Sequence, residues 1–411
     1  MSDPGRGGGA WQRPALRDDG DQHRPVGWVE LFFDLVFVVI VAVLAHDLQQ
    51  HIDPGGLLRF GLQFLAVFWA WNGYTYYTER FESHGLENRL FAFIAILTVA
   101  GLAIWGEDGL GHNYLGFAAS YVLARALNIG LWINAASHEP RFRRAAWGFA
   151  GGFVAAVLLL GASFLVDERW RLALFALAVV VDIATPALTQ RFQAGLPPLS
   201  RDKFPERFGL LTMIVLGETV AGVIRGVATS NAQAGLSAAT ILEAAAGLAV
   251  GFGLWWLYFD FIARRPTRPV FAAALTWVYL HIASLSGIIV VGVAIAQALE
   301  GTGDAVLAPD VRALLLYGLA FTLVAFALLE ITLDRAPDEP TGAVASPVLK
   351  VAVGLCLAAV AWAGPPLPTA AVLVLCIAAL AVPAAYGAVV YFRKPRGSVV
   401  ARRDVEVGPE G

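Results

Sequence analysis

The chain has 411 residues, 58% of them hydrophobic and only 15% charged, with a mean hydropathy of +0.65. A soluble domain carries about 25% charged residues, so this composition argues against a soluble fold. The formal net charge of −3 supplies no basic field for nucleic acid, which is set aside as a partner.

In chain order, residues 1–25 mix Arg6, Arg13, Arg17 and Arg24 with Asp3, Asp18, Asp19 and Asp21. They contain neither an apolar core nor a small-residue cleavage site, so no signal peptide is expected and the first span must direct insertion. A helix needs about 20 apolar residues to cross the ~30 Å hydrocarbon layer. Runs of that kind are read at Trp28–Leu48, Leu57–Thr78, Leu90–Gly106, Tyr114–Ala135, Trp147–Val166 and Trp170–Gln190. They continue at Arg207–Thr229, Thr240–Ile262, Val270–Leu299, Val311–Thr332, Val348–Gly364 and Leu367–Phe392, the last two joined by Pro365-Pro366-Leu367-Pro368. The expected fold is all-α: a polytopic transmembrane bundle of about 12 spans over residues 26–393, with a flexible cytoplasmic tail at 1–25 and a cytoplasmic tail at 394–411.

Cytoplasmic loops carry an excess of Lys and Arg. Of the 29 in the chain, 23 alternate onto the side of the N-terminus, five onto the other, and Arg125 alone sits deep in a span. This predicts a multi-pass protein of the cell membrane with both termini cytoplasmic. Transporters are often built from repeats, and a division into halves 26–190 and 204–393 would give a six-plus-six parallel repeat. Spans one and seven each open on a glutamate, Glu30 and Glu206, and carry a deeper carboxylate, Asp34 and Glu218. Chance similarity between apolar helices accounts for this equally well.

A charge at the bilayer centre costs roughly 2.5–3.5 kcal/mol on insertion scales, so each one needs a partner, a wet cavity or a changed protonation state. Glu30 and Asp34 are four apart, on one helical face. They read either as a proton or cation site, or as an interfacial glutamate and a structural ion pair. Arg125 requires a carboxylate, with Asp34, Asp182 and Glu218 as candidates. Asp182 and Glu218 each lie about 12 residues into a span, near the midplane. His281 is mid-span, either a titrating group or a bond across helices. Asp260 is expected to pair at the surface with Arg264 and Arg265. Pro186 and Gly217 are candidate helix breaks lining a cavity. Asn72, Asn128 and Asn134 suit bonds between helices, and the Trp and Tyr residues suit interfacial belts. Cys356 and Cys376 have no CxxC or Cys/His spacing, which supports neither a disulfide nor a zinc site, and read as small buried hydrophobes. With no Walker loop, HExxH, nucleophile elbow or dinucleotide fingerprint, no enzyme, cofactor or metal is expected.

The stretch Trp28-Val29-Glu30-Leu31-Phe32-Phe33-Asp34-Leu35-Val36-Phe37-Val38, with Glu206-Arg207-Phe208-Gly209-Leu210-Leu211 and the following Val215-Leu216-Gly217-Glu218, resembles the bacterial low-temperature requirement protein A family. The Arg80–Arg89 loop and the aromatic run from Trp255 to Asp260 fit as well, and the likeness spans Val26 to Phe392. It implies Glu30, Asp34, Glu206, Arg207 and Glu218 as motif residues, and no substrate. Arg125, Asp182 and His281 rest on the bilayer argument alone. The expected function is a proton- or cation-coupled transporter of a small solute, working through Asp34 and Glu218 with Arg125 as counter-charge. The alternatives are a membrane sensor or integrity factor whose buried charges are structural, a channel, and a lipid enzyme. The lipid bilayer, and a small solute or proton, are the expected partners.

Overall fold

In the computed structural model, the described residues are 15–16, 27–82, 85–138, 140–193, 196, 203–263, 265–301, 306–335 and 341–393. The tail expected to be flexible, 1–25, and the tail at 394–411 lie outside them, apart from Ala15 and Leu16. The elements are α1 (Trp28–Gln50), α2 (Pro54–Thr78), α3 (Leu86–Ile104), α4 (Tyr114–His138), α5 (Arg143–Ser163), α6 (Glu168–Leu188) and a short α7 (Gln190–Gln193). They continue with α8 (Lys203–Ala234), α9 (Ala238–Tyr258), α10 (Phe271–Glu300), α11 (Pro309–Thr332), α12 (Ala345–Ala363) and α13 (Thr369–Arg393). A two-residue ladder pairs β1 (Ala15–Leu16) with β2 (Phe81–Glu82).

Among the described residues, eleven helices are long and apolar enough to cross a membrane, which makes the chain a multi-pass helical membrane protein. The remaining long helix, α2, has 25 residues but a more polar composition. Its interior explains why: every residue from Ala66 to Thr75 is buried, so α2 is wrapped by protein on all sides in its middle turns. Its polar groups face protein instead of lipid, as where Gln63 Nε2 donates to the Gly106 carbonyl at 2.7 Å. The outer helices show the reverse. On α1, Phe33, Phe37, Ile40 and Leu44 are buried while Phe32, Leu35 and Val39 are exposed, a one-sided pattern expected where the other face meets acyl chains.

Helix ends follow local chemistry. Asp53 caps α2, its Oδ1 accepting from Gly55 N at 2.7 Å and Gly56 N at 3.0 Å, with Pro54 in the first turn. α12 stops at Gly364, whose φ of 62° is left-handed, and Arg312 Nη1 donates to the Pro365 carbonyl at 2.7 Å to hold the proline-rich turn. The expected breaks do not occur: α8 runs through Gly217 and α6 runs through Pro186 to Leu188. Pro186 has no N–H to give the carbonyl four residues back, and that carbonyl, of Asp182, instead accepts from Trp69 Nε1 at 3.2 Å.

The chain divides into two compact units, Met1–Gly222 and Val223–Gly411, the boundary falling inside α8. In the second, α10 and α11 are the most buried of the candidate spans, at 78% and 72%. Small residues let them approach: a Cβ on Gly287 would come within 2.3 Å of Thr322 Oγ1.

Candidate functional site

Within the first unit, α2 presents two different faces. At 100° per residue, Trp69, Gly73 and Tyr76 lie within about 60° of one another, and Trp71, Tyr74 and Thr78 lie on roughly the opposite side. Each face meets a separate set of buried charges.

The second of these faces meets α1 and α8. Asp34 accepts from Trp71 Nε1 at 2.7 Å and from Arg207 at both oxygens, Nη2 at 2.6 Å and Nε at 3.2 Å. Arg207 Nη1 donates to Thr78 Oγ1 at 3.2 Å, and Phe208 packs edge-on to Trp71 at 5.0 Å. One turn toward the helix start, Glu30 accepts from Lys203 Nζ at 2.8 Å and from Gly27 N at 2.9 Å, so it caps α1 as well. Lys203 also lies 3.5 Å from buried Glu79. Two rungs, Glu30 to Lys203 and Asp34 to Arg207, thus join α1 and α8 with a spacing of four residues on each. Such a ladder requires parallel helices, as the first and seventh spans of an alternating chain are. That parity holds only if α2 crosses as well, and it is an argument for twelve spans that hydropathy alone does not supply.

The first face of α2 meets α4, α5 and α6. Arg125 on α4 is fully buried, with Nε 3.3 Å from Asp182 Oδ2. The Tyr121 hydroxyl donates to the same carboxylate oxygen. The guanidinium carbon lies 5.0 Å from the Tyr121 ring centre and 5.4 Å from that of Phe153, so aromatic faces flank the charge. Gly73 makes room for it: a Cβ there would come within 2.9 Å of Arg125 Nη1 and 2.7 Å of the Asn128 side-chain nitrogen. Below it, the Tyr76 hydroxyl donates to Gln193 Oε1 at 2.7 Å, and its ring lies 5.7 Å from Phe149. Asp34, then, is paired with Arg207, and Arg125 with Asp182.

The other expected residues divide. Glu206 is exposed. Glu218 is buried, but 11 residues beyond Arg207 it lies about 16 Å further along α8 and not beside Asp34. His281 in the second unit joins α9 to α10: its Nδ1 is 2.8 Å from the Trp277 carbonyl and its Nε2 is 2.9 Å from the Tyr258 hydroxyl. A carbonyl only accepts, so Nδ1 carries the proton and Nε2 accepts from Tyr258. Both nitrogens are engaged, as the bond-across-helices reading expects.

A second buried cluster was not expected. Glu330 on α11 accepts from Arg265 Nη2 at 3.1 Å, Lys350 Nζ at 2.8 Å and Ser346 Oγ at 2.8 Å. Lys350 Nζ also sits 3.9 Å from the centre of the Phe261 ring. Loop counting had treated Lys350, Lys203 and Arg207 as loop charges, yet Lys350 and Arg207 are fully buried and Lys203 nearly so. Arg265 turns to Glu330, and Arg264, its expected companion beside Asp260, lies outside the described residues. The signal that could have found this cluster is a Glu two residues before the end of one apolar run and a Lys inside the start of the next. The tryptophans also split: Trp28, Trp170 and Trp362 are exposed near helix ends, whereas Trp69, Trp71, Trp132 and Trp277 are core. Cys376 is buried and Cys356 is exposed on α12.

Among known proteins, the chain is similar to an uncharacterized protein of Rhizobium meliloti (strain 1021), 24% identical over 301 residues, which cover 67% of this chain and 69% of that protein. No solved structure matches it. Residues 25–385, which hold both charged motifs and the ladder they build, match the family described as bacterial low temperature requirement A protein, LtrA. The chain belongs to that family.

Proposed function

We propose that this protein is a secondary transporter of a small polar solute in the cell membrane, with both termini cytoplasmic, driven by protons or another cation bound at Asp34. The observation that carries the reading is the pairing of two buried charge sets on opposite faces of one polar, protein-wrapped helix. Asp34 lies six residues into α1, about 9 Å from its start, within reach of one membrane surface, while Arg125 occupies the middle turns of α4 and its partner Asp182 lies six residues before the end of α6. Charges at such depth are expensive and mark substrate or ion paths in membrane proteins. Protonation of Asp34 would release Arg207 and the Trp71 indole together, and both bear on α2. A change at the outer pair is thereby carried to the inner one, a coupling between two sites through one element. Arg207, in place of Arg125, is the counter-charge, and Glu218 is left out of the coupling step. The partners on this reading are the bilayer, a small solute and the coupling ion, with no nucleic acid and no catalysed reaction.

Currents recorded on a solid-supported membrane test it. Rapid exchange of pH and of polar solute mixtures should evoke a transient current in wild-type protein that Arg207→Gln abolishes. No current under any mixture would remove the transport reading.

A second reading, a sensor or integrity factor with structural charges, is favoured by Glu330, whose carboxylate ties α11 to Ser346 and Lys350 of α12 and to Arg265, as a packing bond would. On that reading, activity of Asp34 variants would track the amount of folded protein.

A further inference from the structure

Arg125 is ion-paired along one edge, its Nε 3.3 Å from Asp182 Oδ2, yet none of its three buried nitrogens makes a hydrogen bond among the described residues. Asp182 Oδ1 and Asn128 Oδ1 are likewise buried without a donor. Leaving one such group unmet is destabilising, and more so when it is charged. The aromatic flanks of Tyr121 and Phe153 offer no oxygen acceptor to the two nitrogens, and Gly73 contributes only backbone.

The chemistry of an occupant follows from what is open. Two parallel N–H donors of a guanidinium match the two oxygens of a carboxylate. The open acceptors, a carboxylate oxygen and an amide oxygen, match a cationic N–H donor. Arg125 and Asp182 already cancel, so an occupant with net charge would leave that charge buried and unbalanced, at a cost of several kcal/mol. A small molecule carrying both a carboxylate and an ammonium meets all three conditions. We propose that the Arg125–Asp182 pair, with Asn128 and the bare backbone of Gly73, binds a small zwitterion of the α-amino-acid class. Its carboxylate lies on Arg125 Nη1 and Nη2 and its ammonium on Asp182 Oδ1. This rests on the transport reading for its purpose, and names the substrate class of that same site.

The test is thermal unfolding of the full chain in detergent, with glycine and each proteinogenic L-amino acid as separate probes, and with acetate and methylammonium as half-ligands. A ligand that binds only the folded state raises the melting temperature in a saturable way. At least one small amino acid should do so, and neither half-ligand should match it. Arg125→Lys, which keeps the charge and loses the fork, and Gly73→Ala, whose methyl would crowd Arg125 Nη1, should each weaken the response about tenfold or more. No saturable shift in wild-type protein with any amino acid, water alone filling the site, overturns the proposal whatever the variants do. An acetate response equal to that of glycine overturns the zwitterion. Binding in detergent without uptake into vesicles would leave this site standing and remove transport. Amino-acid uptake indifferent to Gly73→Ala would do the opposite.

Discussion

Asp34 is held inside a span by three donors, two from Arg207 and one from Trp71. Removing one member of a buried pair leaves the other uncompensated, at a cost of about 3–5 kcal/mol. Arg207→Leu and Asp34→Leu should each lower stability by that order. The double variant should recover much of the loss, because no lone charge remains, and urea unfolding in mixed micelles checks this as a double-mutant cycle. Outside the spans, Asp53 is held below the ordinary carboxylate range by its bonds from Gly56 and Gly55. A depressed folded pKa means the cap contributes fully above the unfolded value and is lost as pH falls through the folded one. Protection factors at the Gly55 and Gly56 amides, taken relative to an unstructured peptide at the same pH, should therefore fall on acidification below the carboxylate range. Asp53→Asn, still a good cap, should remove that pH dependence.

At the scale of the helix, apolar run length made the spans legible, since bilayer thickness fixes it: Tyr114 opens α4 and Thr332 closes α11 where the sequence puts them. Partnerships were not legible. Arg207 sits 173 residues from Asp34 and at the edge of an apolar run, so nothing local distinguishes it from a loop charge. Arg125 offered itself as partner only because it lay deepest. Pro186 was read as a break because its effect depends on Trp69, more than a hundred residues away, taking up the freed carbonyl. Trp69→Phe should leave that carbonyl unmet and cost about 1–3 kcal/mol, read by thermal unfolding, whereas Pro186→Ala should soften the loss by restoring a donor. In the second unit, Gly287→Val should force α10 and α11 apart at Thr322 and cost about 1–3 kcal/mol or more by overpacking, seen as a lower melting temperature.

For the whole molecule, the parallel ladder makes the start of α1 and the start of α8 share one membrane side. Single cysteines placed at the exposed positions Gly27 and Glu206 should react with an impermeant thiol reagent from the same face of oriented vesicles, and labelling from opposite faces would contradict the twelve-span count. The measurement that bears most directly on what the buried charges do is proton flux into liposomes loaded with a pH-sensitive dye. It would compare wild-type protein with the Asp34→Leu/Arg207→Leu double variant, which should retain the fold. With an amino acid added outside under an imposed pH gradient, wild-type protein should discharge the gradient and the folded double variant should not. Equal rates in the two, or none in either, would contradict a working role for the pair and leave it a structural bond between α1 and α8.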